Sequence, residues 1–342
     1  MEFPRASCGF PSPLPSQTPA PKVWPVADGA WQIRLPLPWA LTSVNVFLFH
    51  TDGGDLLLDT GIRSAESLLS LESALQSVGS GWNCITGILV SHLHPDHIGA
   101  AAELRRRTGA PVRMPDIEAE LVKPLGPDRK FFAEAAAFLR QHGMPAPQVD
   151  ALREQAAAGS DLAERLVVDG TIEEGEQIRF LGGTLEAIAA PGHSPGQLCF
   201  YWPEQRVLFS TDAILPRVTP NIGVHWFYRD NPLGEYLVTL DKLRALDAGK
   251  VVPSHGRPFK GHREWIDNTK LHHGRRCDSI VDVLGDKPMD AFEIAGAVWG
   301  EDRSLFDRRF AMAESLSHLT YMALKRRVAE VEVGGVTCWT KL

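Results

Sequence analysis

Three features of the chain predict an α/β fold with a chemical site along one sheet edge. Apolar strands and amphipathic helices alternate up to about residue 113. Four apolar strands end in side chains able to bind metal: the histidines and aspartate of SHLHPDHIGA (91–100), then His193, Asp212 and His255. In sheet-based α/β proteins, sites collect where strands end. From His262 onward the pattern changes to helix, helix, helix, hairpin, which predicts a small second unit.

The elements follow in order. MEFPRASCGFPSPLPSQTPAPKVWP is rich in proline and serine and reads as a flexible arm over 1–24. WQIRLPLP (31–38) and SVNVFLFHT (43–51) read as strands. Val44, Val46 and Leu48 alternate with partly apolar partners, the pattern of a strand covered on both faces. A turn at 52–54 leads to a buried strand in DLLLDTG (55–61). SAESLLSLESALQSVG (64–79) spaces Leu68, Leu69, Leu71 and Leu75 as a helix, with Gly79 as its stop. ITGILVSH (85–92) is a strand that delivers the histidine motif, and GAAAELRRRTG (99–109) is a helix.

Residues 114–165 break this rhythm and read as a helical insertion, either a packed hairpin or a lid over a site. Phe131, Phe132, Ala135, Phe138 and Leu139 share one side of its first helix. Strands resume over 165–194, with turns at Asp169-Gly170 and Gly182-Gly183, and continue in 197–215 and 248–258. The first long C-terminal helix spans 262–285, a shorter one 290–300 and a third 314–328, before a hairpin turning at Gly334-Gly335. The unit 25–261 is therefore read as the catalytic domain and 262–342 as the appended one.

Composition excludes several classes. The net charge of the 342-residue chain is −7, which does not attract nucleic acid or an anionic membrane. No apolar run reaches the length that crosses a bilayer. Five scattered cysteines without a CxxC predict free thiols in a reducing compartment. The N-terminus lacks a basic start and an apolar run, so a cytoplasmic location is expected.

Neutral imidazoles and carboxylates suit divalent zinc and its neighbours. No cysteine lies near the motif, which excludes a closed thiolate zinc site. His92 and His94, two apart on extended backbone, can point the same way. Asp96 and His97 are adjacent and cannot both join that pair on one small ion, whereas two neighbouring ions accommodate all four. His193 would complete one set, His255 the other, and Asp212 could bridge. Two metals about 3.5–4 Å apart bind a shared water and bring its pKa toward neutrality. His272 and His273 read as solvated or capping groups, and His142, His262 and His318 carry no ligand signal.

LLLDTG, SHLHPDHIGA, APGHSPGQ, FSTDAI and PSHG, in that order, resemble the metallo-β-lactamase superfamily of metal-dependent hydrolases over roughly residues 25–260. The resemblance implies an αβ/βα sandwich with a binuclear site, of the glyoxalase II-like or thioesterase-like branch. It implies one metal on His92, His94 and His193, the second on Asp96, His97 and His255, Asp212 between them, and Asp59 orienting ligands. Two zinc ions are the expected cofactors, with manganese or iron(II) also accepted by these ligands.

Departures from the pattern narrow the function. True β-lactamases of the superfamily usually carry Cys or Ser at the position of Asp212. Flavodiiron oxidoreductases usually carry Glu at that of His94. Homoserine-lactone lactonases usually carry Tyr where this chain has Leu215. The C-terminal unit resembles the winged-helix domain of one branch, whose members cleave single-stranded RNA or act near acyl thioesters. It holds 12 basic and 13 acidic residues, a net charge of −1, so DNA binding is not expected. The KRR at 325–327 is a solvated helix end or a local phosphate clamp.

ILPRVTPNIGVHWFYRDNP (214–232) reads as an irregular loop at the mouth of the site, with His225, Trp226 and Tyr228 as candidate substrate contacts or as anchors of the loop. The expected activity is hydrolysis of an ester-like carbonyl, in a thioester, lactone or ester, by a metal-bridging hydroxide. Asp96 is the candidate proton donor to the leaving group. The expected substrate is a small molecule with an apolar or acyl part, and a homodimer is compatible with the chain. A phosphodiesterase or endoribonuclease on the same site is the alternative. A mono-iron oxygenase and a non-catalytic DNA-binding regulator are weaker competitors.

Overall fold

Two sheets pack face to face, with helices on both outer sides. A computed structural model describes residues 20–123, 129–158, 166–228, 230–285 and 287–342, with 129–132 and 155–158 described by backbone alone. Strands β1 (Val23–Ala27), β2 (Ala30–Pro36), β3 (Ser43–Thr51) and β4 (Gly54–Leu58) run antiparallel in succession. Helix α1 (Ala65–Ser77) then crosses to β5 (Ile85–Leu89), which pairs parallel to β4. Ser64 caps α1 by accepting from the Ser67 N–H. After β5 come the single turn α2 (Pro95–Ile98), α3 (Ala101–Thr108) and the parallel strand β6 (Val112–Pro115). Gly109 ends α3 at φ 72°, a left-handed conformation that glycine adopts without a steric penalty.

Helices α4 (Asp116–Val122), α5 (Arg129–Gln141) and α6 (Ala146–Ala158) precede β7 (Gly170–Ile172), which completes the seven-stranded sheet. The second sheet contains β8 (Gln177–Phe180), β9 (Gly183–Ala189), β10 (Leu198–Trp202) and β11 (Val207–Thr211) in antiparallel series. Helix α7 (Pro232–Ala245) then returns the chain to β12 (Lys250–Pro253), parallel to β11.

The two faces of β3 explain its nearly continuous apolar sequence. Val44, Val46 and Leu48 pack under α1 and α3. Phe47 and Phe49 point the other way and meet Phe209 edge-on, at 5.0 and 5.2 Å between ring centroids. With Phe200 and Trp202 these rings form the layer between the sheets. Truncating Phe209 to alanine there costs about 3–5 kcal/mol.

The C-terminal residues form α8 (His262–Val283), β13 (Met289–Asp290), α9 (Ala291–Trp299), α10 (Leu305–Leu324), β14 (Val328–Val333) and β15 (Val336–Lys341). The three strands make their own sheet, in the order β13-β15-β14. Gly334 and Gly335, at φ 60° and 82°, form the two-residue turn of its hairpin. This unit shares one core with the second sheet: Leu316, Leu319 and Met322 of α10 lie in the same cluster as Leu233, Tyr236 and Leu240 of α7.

Several sequence expectations shift. The arm of 1–24 overlaps β1, which starts at Val23, and residues 1–19 lie outside the described residues. The insertion of 114–165 is narrower than expected, because β6 and α4 belong to the sandwich. The described part of α5 and α6 is a packed hairpin: Phe138, Met144 and Val149 are buried in the core shared with α10. The side chains of Phe131 and Phe132 lie outside the described residues. Helix α7 had no sequence assignment, although Asn231 caps it and Pro232 opens it. His273 is buried rather than solvated, because α8 packs that face against α10.

Candidate metal centre

Every residue of the site sits just past the C-terminal end of a strand. Asp59 follows β4, His92 follows β5, His193 lies between β9 and β10, Asp212 follows β11 and His255 follows β12. Pro95 opens α2 immediately after His94, and this single turn places Asp96 and His97 beneath the His92–His94 pair. Two non-glycine residues beside the site hold left-handed backbone, Asp59 at φ 62° and Thr211 at φ 45°. Such conformations cost on the order of 1–3 kcal/mol each and persist where surrounding structure imposes them.

The rings converge on one another. His94 Nδ1 is 3.0 Å from His92 Nε2 and 2.8 Å from His193 Nε2. His255 Nε2 is 3.1 Å from Asp96 Oδ2, and His97 Nε2 is 3.8 Å from the same oxygen. Asp212 Oδ2 lies between the two groups, 3.4 Å from His193 Nε2 and 3.5 Å from both His97 Nε2 and His255 Nε2. The structure thus brings together all seven residues singled out as ligands, in three overlapping trios: His92/His94/His193, His92/His97/Asp212 and Asp96/His97/His255.

The outer nitrogen of each ring decides what the inner one can do. His97 Nδ1–H donates to Asp59 Oδ2 at 2.8 Å, His193 Nδ1–H to the Asn221 carbonyl at 2.8 Å, and His255 Nδ1–H to the Ser43 carbonyl at 2.8 Å. Ser91 gives its hydroxyl proton to Asp59 Oδ2 (2.8 Å), so its oxygen accepts from His92 Nδ1–H (3.0 Å). In the neutral form of each ring this leaves Nε2 facing inward, free to bind a cation. His94 Nδ1 faces both His92 Nε2 (3.0 Å) and His193 Nε2 (2.8 Å), and a single proton on it serves only one of these lone pairs. His97 Nε2 and Asp212 Oδ1 are buried without a hydrogen bond among the described residues. This donor set fits divalent metal and has no purpose as a packed core.

The electrostatics agree. Burial, then the neighbouring histidines, hold His92 and His94 well below the ordinary imidazole range, so both are neutral ligands. Burial also opposes charge on His97, yet Asp212, Asp59 and Asp96 outweigh it and push that ring well up. For His255, burial is likewise overcome, by Asp212 and Asp96, and its pKa rises to about 10. A site that raises histidines in this way has excess negative charge to share with cations.

Other residues, without a sequence signal of their own, hold the site in shape. Glu118 of α4 is fully buried and accepts from the Leu93 N–H (2.9 Å), the Gly196 N–H (2.6 Å) and the Ser194 hydroxyl. It ties the His92–His94 segment to the His193 loop. Gln197 lies against the backbone N–H groups of Asp212 and Ala213, and its amide oxygen, turned toward them, accepts from both at 3.1 and 2.9 Å.

The predicted substrate contacts separate. His225 stacks on Phe227 (ring centroids 5.5 Å apart, planes at 15°) near His193. Burial, then the charges of Arg309 and His193, take its pKa down to about 3, so it is a neutral hydrogen-bonding group. Trp226 is partly buried against the C-terminal core. Tyr228 is buried and gives its hydroxyl proton to Glu235, so it anchors the loop and is not placed to contact substrate. Trp39 (42% exposed) and Leu41 (45%) stand on the β2–β3 loop, which leads into Ser43, the partner of His255.

Among the described residues, no helix is long and apolar enough to cross a membrane. The chain is 29% identical to a metallo-β-lactamase family protein from Thermus thermophilus, whose crystal structure superposes with a TM-score of 0.80 over 93% of this chain and 100% of that one. A β-lactamase-like protein 2 homolog of Caenorhabditis elegans is 23% identical over 84% of this chain and 82% of its own. An atrochrysone carboxyl ACP thioesterase of Paecilomyces divaricatus is 26% identical over 70% of this chain and 58% of its own length. The family model for the metallo-β-lactamase superfamily matches residues 39–255, a span that contains every convergent histidine and aspartate, and the chain belongs to that superfamily as a metallo-hydrolase.

Proposed function

We propose that this metallo-hydrolase cleaves an ester-like carbonyl substrate, a thioester, lactone or ester, with an apolar acyl part. His92, His94 and His193 would hold one divalent ion, and Asp96, His97 and His255 the other, with Asp212 shared. Zinc is the ion these nitrogen and carboxylate donors favour. Such ions, when bound, supply an ionised water and polarise the oxygen of the bond attacked.

The chain's own residues do the rest. Asp59 and Ser91 fix the tautomers of His97 and His92, so their lone pairs need no rearrangement during turnover. Asp96 carries one oxygen toward His255 and is the candidate to pass a proton to the leaving group. Neutral His225 can donate a hydrogen bond to an oxyanion without introducing a competing charge. The C-terminal helices and three-stranded sheet are read as a winged-helix-like unit. Its net charge of −1 and its core shared with α7 support a packing role over nucleic-acid binding.

The observation that carries the carbonyl reading is the exposed apolar pair Trp39 and Leu41 on the β2–β3 loop, the loop that leads into Ser43, whose carbonyl binds His255. Exposed apolar side chains at a site's edge suit an acyl group better than a polyanionic backbone. The P. divaricatus relative is named as a thioesterase, which supports the same direction. A panel of p-nitrophenyl esters, acyl thioesters, lactones, bis-p-nitrophenyl phosphate and short RNA tests it. Turnover of carbonyl substrates is expected. Turnover confined to the phosphate diester and RNA would replace this reading with a phosphodiesterase.

A further inference from the structure

Among the described residues, one half-buried cation next to the site pairs with no acid. Arg309 of α10 lies with its guanidinium 4.4 Å from the ring centroid of Phe310 and 5.2 Å from that of Phe306. Among the described residues it makes no hydrogen bond or ion pair. Its surroundings differ from those of Arg105, Arg113, Arg206, Arg244 and Arg327, each of which pairs with a carboxylate. Burial with nothing to offset it takes the Arg309 pKa down to about 10.

Its position follows from the loop that α10 supports. The Val224 N–H donates to the Ala313 carbonyl at 3.0 Å. Asn221 Nδ2 donates to Glu314 Oε2 at 3.1 Å, while the Asn221 carbonyl accepts from His193 at 2.8 Å. A Cβ added at Gly223 would lie 3.0 Å from both the Ala313 Cβ and His225 Nε2, so His225 faces α10 at Ala313. Arg309 is one turn earlier on the same side of that helix. His225 thus lies near both His193 and Arg309, whose charges, after burial, lower its pKa.

Resting on the hydrolase reading, we propose that Arg309 recognises an anionic group, carboxylate or phosphate, carried by the part of the substrate remote from the cleaved bond. A guanidinium offers five N–H donors in a planar fork that matches either oxyanion, and ring faces hold it in place without using those donors. The site then has two unlike sides. The exposed apolar pair Trp39 and Leu41 takes the apolar acyl part, and the C-terminal unit supplies the cation for the other end.

Calorimetric titration of the metal-loaded full chain with glutarate and with propyl phosphate tests this independently of turnover. At least one is expected to bind, and Arg309→Met, which keeps an aliphatic stem between the rings, should weaken it about ten- to hundredfold. Arg309→Gln is read in the same way if the Met variant does not fold. The probe that binds identifies the tail. In parallel, the kcat/KM ratio of S-butyryl-3-mercaptopropionate, whose carboxylate sits on the leaving thiol, to its methyl ester should fall at least about tenfold in the variant. Binding of neither probe, equal binding by wild type and variant, or an unchanged ratio would overturn the proposal. Arg309-dependent binding without turnover of any carbonyl substrate would leave the anion site standing and refute the hydrolytic reading instead.

Discussion

Two groups of buried and half-buried histidines can be compared within this molecule. One is the strand-end cluster of His92, His94, His97, His193 and His255. The other is the pair His273 and His318, where α8 meets α10. In the helical pair, His318 Nδ1–H donates to the Glu314 carbonyl at 2.8 Å, and its Nε2 accepts from His273 Nδ1–H at 3.2 Å. Among the described residues no carboxylate bonds to that pair, and burial takes His273 down to about 2 and His318 to about 4. At the strand ends, Asp59, Asp96 and Asp212 push His97 and His255 up instead. Burial is common to both groups, so the carboxylates make the difference. One group is neutral packing, and the other is a cation site.

The largest effect should come from removing the shared carboxylate. Asp212→Ala is expected to lower ester kcat/KM by at least about 10³-fold while the chain stays folded, measured by kinetics beside circular dichroism. The same drop in a His318→Leu variant would erase the contrast between the two clusters.

The second effect concerns pH. His318 has a folded pKa of about 4 against about 6.5 in an unfolded chain, so the unfolded state binds more protons between these values. Stability should rise with pH across that window and be lost as pH falls from about 6.5 toward 4, on the order of 3 kcal/mol from this residue. Urea unfolding of His318→Leu at pH 7 and pH 5 should show a flatter dependence than wild type. An equal slope in both would mean that the pair is not the neutral packing described.

A third effect separates metal affinity from chemistry. Asp59→Asn removes the charged acceptor of His97 and Ser91, and metal affinity should fall about ten- to hundredfold in a chelator competition. Smallest is Tyr228→Phe, which deletes only the hydroxyl bonded to Glu235. It should lower stability by about 1 kcal/mol and change kcat/KM less than about twofold.

Residue spacing explains which parts were legible in the sequence. The ligands were visible because strand-end chemistry leaves polar side chains after apolar runs, as at Asp212 after VLFST and His255 after KVVP. The alternate faces of β3 were readable for the same reason. Glu118 was not, since a carboxylate in a short helix looks like surface until α4 is packed beneath Leu93 and Gly196. Helix α7 was masked by the irregular proline-rich stretch before it, despite its Asn231 cap. His273 read as solvated because α8 is polar along most of its length, and only packing against α10 covers that face. Tyr228 looked like a substrate contact because sequence alone does not show Glu235 turned toward it.

Elemental analysis of the purified chain, before and after exhaustive chelation and with carbonyl-ester turnover followed in parallel, tests the convergent lone pairs most directly. About two divalent ions per chain are predicted, with turnover lost as they are removed and restored when they are returned. Full turnover by a chain stripped of divalent metal would contradict it.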